Sequence, residues 1–219
     1  EFALELLTPL QIVDWGTLEY QVAFERQAVM VQQHLTGQGE DTLVFVEHPT
    51  TVTFGRRATQ ADLRLTQSEL DARNVSLQKI NRGGLATAHE PGQLVVYPIL
   101  LLKKKDLHWF SKTFLQVVIA LLAEYGLQGE LKEGEPGVWV NGRKICSFGI
   151  ALKKWVCSHG IALNVNNDLA TFETIVPCGR PSEIVTSMRL ETGLEIDLDD
   201  VKMKFSQYFL SAFSYKAGS

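Results

Sequence analysis

The sequence predicts an α+β domain: a mixed, mostly antiparallel central sheet flanked by helices. Three observations carry this. Apolar residues at helical spacing recur in two well-separated stretches, 109–125 and 201–213. An Asn141-Gly142 pair sits between apolar strand-like runs, the strongest short hairpin signal. Strand and helix patterns follow one another without the strict alternation of a parallel α/β fold. With 219 residues, 45% apolar and 21% charged, the chain is expected to form one domain, 1–219, with a substantial core.

From the N-terminus, residues 16–37 read as a helix. Leu18, Val22 and Val29 form its apolar face, Phe24, Ala28, Val31 and Leu35 widen the stripe, and Gly37 and Gly39 end it. Residues 42–46 and 51–54 read as strands joined through a turn on Pro49. Thr66 followed by Glu69 has the pattern of a capping box, so a short helix is expected over 66–73. Residues 75–80 alternate as a strand and lead into a glycine-containing loop from Arg82 to Gln93, after which 94–97 is again a strand. Phe110, Phe114, Val117, Val118, Leu121 and Leu122 mark the buried side of the second long helix, closed by Gly126. Residues 138–140 and 144–150 form the Asn-Gly hairpin, 156–165 a further strand, and 201–213 the last helix.

Net charge is −4 but uneven: −7 over residues 1–54, +5 over 55–105, balanced over 106–182, and −2 over 183–219. The positive stretch holds Arg56, Arg57, Arg82 and Lys103 to Lys105, and is expected to steer an acidic partner. No apolar run is long enough to span a bilayer, and no secretory signal is read in the residues given. Three widely spaced cysteines do not suggest a disulfide framework, so a reducing, cytoplasmic setting is expected.

Cys178 stands apart from Cys146 and Cys157. It lies in a Pro-Cys-Gly turn, where a thiol can be presented, whereas the others sit in apolar strands as small hydrophobes. A nucleophilic cysteine must be a thiolate, which calls for a nearby cation. Lys144, opening a strand just after the hairpin turn, is a candidate. The adjacent glycines Gly83 and Gly84 permit close approach of a ligand to the backbone. The loop lacks the Gly-Lys-Ser/Thr of a phosphate loop and the dinucleotide fingerprint, and the Cys and His spacings are not those of structural zinc.

Taken together and in order, Arg82-Gly-Gly-x-x-Thr-x-His-x-Pro-Gly-Gln93, Gly142-Arg-Lys-Ile-Cys-Ser-x-Gly149, His159-Gly-x-Ala-Leu-Asn-Val165, Pro177-Cys-Gly179 and Val185-Thr-Ser187 closely resemble the lipoyl(octanoyl) transferases of lipoate biosynthesis. The resemblance covers about residues 47–187. The chain departs from it at Ala88 and Glu90, where the family usually has an aromatic and a glycine, and both are expected to bear on pocket shape.

The resemblance implies the biotin/lipoate ligase fold. It implies transfer of an octanoyl (or lipoyl) group from acyl carrier protein to a lysine on lipoyl domains of 2-oxoacid dehydrogenase E2 subunits and glycine-cleavage H protein. Cys178 would be the nucleophile and Lys144 its acid/base partner. The acyl pocket would comprise Arg82, Gly83, Gly84, Leu85, Ala86, Thr87, Ala88 and His89, with Ser147, Phe148, Gly149, Gly160, Ile161 and Ala162. No ATP, metal, nucleic acid or membrane is called for, and a monomer is expected. An ATP-dependent lipoate or biotin ligase would need no cysteine nucleophile; a non-catalytic acyl- or carrier-binding module would need neither Cys178 nor Lys144.

Overall fold

The computed structural model describes residues 7–176 and 183–219. Among these, eleven strands form two sheets, accompanied by five α-helices. The larger sheet has eight strands: β1 (Thr8–Thr17), β2 (Thr42–Glu47), β6 (Gln93–Leu101), β7 (Glu130–Lys132), β8 (Glu135–Val140), β9 (Arg143–Lys153), β10 (Val156–Asn164) and β11 (Tyr215–Ala217). Their order is β11-β1-β2-β6-β10-β9-β8-β7, parallel at β11–β1 and β1–β2 and antiparallel elsewhere. The smaller sheet is β4 (Ser76–Lys79), β3 (Thr51–Phe54) and β5 (Ala86–His89), in that order. This is the mixed, mostly antiparallel architecture the sequence predicts.

Strand alternation divides the large sheet into two apolar faces. On one, Leu43, Phe45, Leu94, Val96, Ile161 and Leu163 pack with α3 (Leu107–Glu124) and α5 (Leu198–Ala212) in the main core. All six residues expected on the buried side of α3 are buried, and Asp106 caps its N-terminus by accepting from Trp109 N. On the other face, Val44, Val46, Val95, Tyr97, Ile99 and Ala162 pack against α1 (Tyr20–Leu35). The loop after β4 and the small sheet stand beside this second face, and a cleft forms between them.

The N-terminal reading changes most. Residues 8–17 form β1, where the sequence reading named no strand and began the helix at residue 16, and only Leu10 in it is buried. The helix starts at Tyr20, and its buried positions are Tyr20, Ala23 and Gln27. Val22 and Val29, assigned to the inner face, are 39% and 59% exposed. Apolarity misplaces this face because the sheet side of α1 carries a polar contact, Gln27 to the backbone of β10. The capping box of Thr66 and Glu69 on α2 (Gln67–Ala72) forms as expected. The glycine-containing loop is shorter than expected, since its middle residues, 86–89, are strand β5. A short helix, α4 (Met188–Thr192), completes the list.

β6 runs through Pro98, which cannot donate to the ladder. Opposite it on β10, His159 adopts φ 61° and its N–H turns to Gln27 Oε1 at 2.8 Å. Gly160 follows with φ 157°, and a Cβ there would sit 2.0 Å from Val96 O on the neighbouring strand. Gly160→Ala should therefore cost at least about 2 kcal/mol, because strand backbone would have to move. Gly126→Ala, at φ 72° with open space, should cost about 1 kcal/mol. Urea unfolding midpoints of the two variants check the ranking.

Candidate active site

The cleft holds a cavity of about 310 Å³, at the small end of the range typical of ligand pockets. One wall is Gly84, Leu85, Ala86, Thr87 and His89, from the loop and β5. The other is Ser147, Phe148 and Gly149 of β9 with Gly160, Ile161 and Ala162 of β10. Val95 and Tyr97 of β6, Tyr20 of α1, Arg57, Arg82, Gly134, Glu135 and Pro136 at the start of β8, His159 and Lys144 complete the lining.

Arg82 fixes the first wall. Its side chain turns inward, donating from Nη2 to Thr53 O, Thr53 Oγ1 and Leu85 O, and from Nη1 to Gly83 O, all at 2.8–3.0 Å. Backbone bonds from Gly55, Arg56 and Arg57 to Leu85, Arg82 and Gly84 carbonyls stitch the loop to the turn after β3. The approach is so close that a Cβ on Gly55 would lie 2.4 Å from Gly84 O.

Lys144 is buried, with its Nζ 5.2 Å from the centre of the Trp139 ring. Gly137 clears its path, since a Cβ there would stand 2.8 Å from Lys144 Cε. Lys144 N donates to Ile184 O and Lys144 O accepts from Thr186 N, both at 2.8 Å. Trp139 Nε1 donates to Glu183 Oε1 at 2.8 Å. Residues 183–186 are thus bound alongside the lysine's own strand. At the other end, Val176 N donates to Asp62 O, and Arg64 N to Thr174 O. Cys178 lies between these anchors, outside the described residues.

A buried polar network joins the walls. Gln93 Nε2 donates to Ala88 O and to Asn164 Oδ1, both at 3.0 Å, which leaves its Oε1 to accept from His89 Nδ1 at 2.8 Å. The His89 proton is thereby placed on Nδ1. Asn164 Nδ2 donates to Thr186 O, so the chain of bonds runs from the loop's histidine to the segment beside Lys144. Glu90 is buried in the same network, accepting from Asn167 Nδ2 at 2.9 Å and Thr171 N at 3.0 Å.

Two histidines, His89 and His159, line the cavity, and a third, His48, lies against His89 and Tyr97 at its floor. His48 Nδ1 donates to Leu18 O, so its Nε2 accepts from Tyr97 OH at 2.6 Å. His89 stacks on Tyr20 with ring centres 5.4 Å apart. His159 Nε2 meets Asn81 Oδ1 at 2.7 Å. Burial lowers the pKa of His48 to about 4; burial and neighbouring His48 lower His89 to about 3; burial and the Arg82 charge lower His159 to about 3. All three are neutral imidazoles at neutral pH, so the floor carries no imidazolium.

Of the residues expected to bind the acyl group, Arg82, Gly84 to Thr87, His89, Ser147 to Gly149 and Gly160 to Ala162 line one cavity together with Lys144. Gly83 and Ala88 do not. Gly83 N–H is committed to Ile150 O at 3.1 Å, so it is not a free amide for an oxyanion. Ala88 is fully buried in the small sheet's core beside Val52, which removes the expectation that its departure from the family pattern shapes the pocket. Nor do the basic residues form one rim: Arg82 is internal, and Lys103 to Lys105 lie eight or more residues along the chain from Val95, beyond the far end of β6. Tyr20, Val95 and Tyr97 were not picked out by sequence, and His159 entered only as the first residue of a family motif.

The sequence matches the lipoyl protein ligase A/B catalytic domain over residues 19–210. It is 38% identical to an octanoyltransferase of Flavobacterium johnsoniae, covering 93% of this chain and 96% of the relative. It is 43% identical to one from Christiangramia forsetii, over 78% and 76%. The chain belongs to the octanoyltransferase family. As an octanoyltransferase it is an acyltransferase, and it moves octanoyl groups in lipoate biosynthesis. The octanoyltransferase shares its fold with ligases. A bipartite lipoate protein ligase from Thermoplasma acidophilum superposes with a TM-score of 0.77 at 16% identity, covering 97% of this chain and 86% of the ligase. A lipoate-protein ligase A bound with ATP gives 0.75 at 15%, covering 98% and 88%.

The depressed histidine pKa values set a pH dependence. Below pH 6.5 the unfolded chain takes up protons at these positions and the folded protein does not, so stability present above 6.5 is lost as pH falls, toward about 4 for His48 and about 3 for His89 and His159. Each imidazole should cost about 2 kcal/mol by pH 5. Urea unfolding at pH 7.5 and 5 should show the drop, and His48→Gln should remove about a third of it.

Proposed function

We propose that the octanoyl group passes from the thioester of an acyl carrier protein to Cys178, and from there to a lysine on a lipoyl domain, with Lys144 moving the protons. The observation that carries this reading is the burial of Lys144 at the cavity wall, on a strand bonded to the residues that follow Pro177-Cys178-Gly179. An ammonium there stabilises a thiolate on Cys178.

In the first half, the thiolate attacks the thioester carbonyl and the bond to the carrier sulfur breaks. The departing thiolate takes a proton from Lys144. In the second, a neutral acceptor amine attacks the acyl-enzyme and the bond to Cys178 breaks. The amine's surplus proton goes to Lys144, restoring the thiolate–ammonium pair. A free lysine amine, with a pKa near 10.4, is less than about one part in a thousand neutral at pH 7, so the acceptor loses its ammonium proton to solvent before attack, and Lys144 takes the second proton, released as the amide forms. The thioester supplies the activation, so transfer consumes no ATP.

The acyl chain lies between the glycine loop and β9–β10. At about 0.8 kcal/mol per methylene, burying its seven carbons beyond the carbonyl contributes about 5–6 kcal/mol. The acceptor is a lipoyl domain of a 2-oxoacid dehydrogenase E2 subunit or glycine-cleavage H protein. The archaeal ligase that shares the fold is described with its own E2 lipoyl domain.

Intact-mass spectrometry after incubation with octanoyl carrier protein, without ATP, should show one octanoyl adduct. Cys178→Ser should abolish it. Lys144→Ala should slow its formation at least about 100-fold at pH 7, with partial recovery at higher pH. Full adduct formation in Cys178→Ser would overturn the assignment.

A further inference from the structure

A second cavity of about 170 Å³ lies behind the first, under α1. Phe24, Gln27 and Val31 line it from the helix, with Asn81, Leu152 and Ser158 opposite. His159 lines both cavities. Its ring stands between Tyr97 on the acyl-cavity side, 6.4 Å away, and Phe24 on the far side, 5.9 Å away. The imidazole is therefore the partition.

The partition is held from several directions. Gln27 Oε1 accepts the His159 N–H, and Asn81 Oδ1 takes the ring's Nε2–H. The left-handed backbone of His159, opposite Pro98, aims the side chain across the cleft. In strand register His159 pairs with Ile150, six residues along β9 from Lys144. At about 3.3 Å per residue that is about 20 Å, so His159 closes the end of the cavity remote from the lysine.

Beyond the partition the surroundings change character. Gln27 Nε2 and His159 Nδ1 are buried and make no hydrogen bond among the described residues. An alkyl chain pushed past the ring would meet these atoms and could not hydrogen-bond them, which disfavours its entry. An apolar slot alone discriminates one methylene from the next by about tenfold. A wall backed by polar groups discriminates more sharply.

We propose that His159, braced by Gln27 and Asn81, sets the upper limit on acyl-chain length by separating the acyl cavity from the second cavity. This rests on the reading that the acyl chain lies in the first cavity with its carbonyl toward Lys144. Gly accepts the positive φ, so His159→Gly opens the partition without imposing strain there.

The test is the ratio of kcat/KM for dodecanoyl over octanoyl carrier protein. It should rise at least about tenfold in His159→Gly, and by about threefold in Asn81→Ala, whose exposed position leaves the fold intact while releasing the ring. An unchanged ratio in a His159→Gly protein with a cooperative unfolding transition overturns the inference. Should that variant not fold, an unchanged ratio in Asn81→Ala overturns it. Leu85→Trp, which fills the first cavity, separates the two claims. If it stops octanoyl transfer while the ratios stay flat, only the partition is wrong. If octanoyl transfer continues, the chain does not lie there and both fall.

Discussion

The site depends on one buried amide. Gln93 is 1% exposed, and its side chain bonds Ala88 O, Asn164 Oδ1 and His89 Nδ1. Those partners belong to the loop-side wall, to β10 and, through Asn164 and Thr186, to the segment beside Lys144. A buried amide left without partners costs about 1–3 kcal/mol for each lost group, so the three elements are held to one relative placement. The two sheets share no strand, and this network, with the bond from Gly83 N to Ile150 O on β9, ties the smaller to the larger. A cavity between two sheets keeps its shape only if something polar and directional fixes their spacing, because apolar packing tolerates sliding.

That network also explains the motif residues. His89, Gln93, Asn164 and Thr186 are dispersed along about a hundred residues of sequence and meet in space. In sequence they look like a list of polar residues beside glycines. In the fold, His89 and Gln93 flank a tight turn, Asn164 ends β10, and Thr186 lies against Lys144. Glu90 enters the same network as an acceptor for Asn167 and Thr171, steadying the turn that leads toward Val176.

Much of the fold was legible where one physical signal acted alone. α3 was read residue by residue because its buried face is wholly apolar. The hairpin between β8 and β9 was read from Asn141-Gly142, and positive φ at both residues bears it out; the second turn, at Lys154 and Trp155, joins β9 to a strand that was read only as a further strand. Reading failed where signals competed. On α1, the apolar Val22 and Val29 face outward while Gln27 is buried to serve the backbone of His159. β6 was ended at Tyr97, whereas it runs on through Pro98 to Leu101, and nothing local announces that the opposing strand yields at that point. Of the cavity, the glycine loop and the β9–β10 segments were legible from motif resemblance. Tyr97 was not, since it reads as an ordinary strand residue until register brings it to the cavity, and His159 was legible only as the first residue of a motif, with no cavity role attached.

The central claim is that the Gln93 network holds the loop wall and the Lys144 strand as one unit. Amide hydrogen exchange on Gln93→Leu tests it most directly. The account predicts that the Thr186 amide, which bonds Lys144 O, loses protection together with amides of β5, while amides of α3 and α5 keep theirs. Unchanged protection at Thr186 in the folded variant would contradict it.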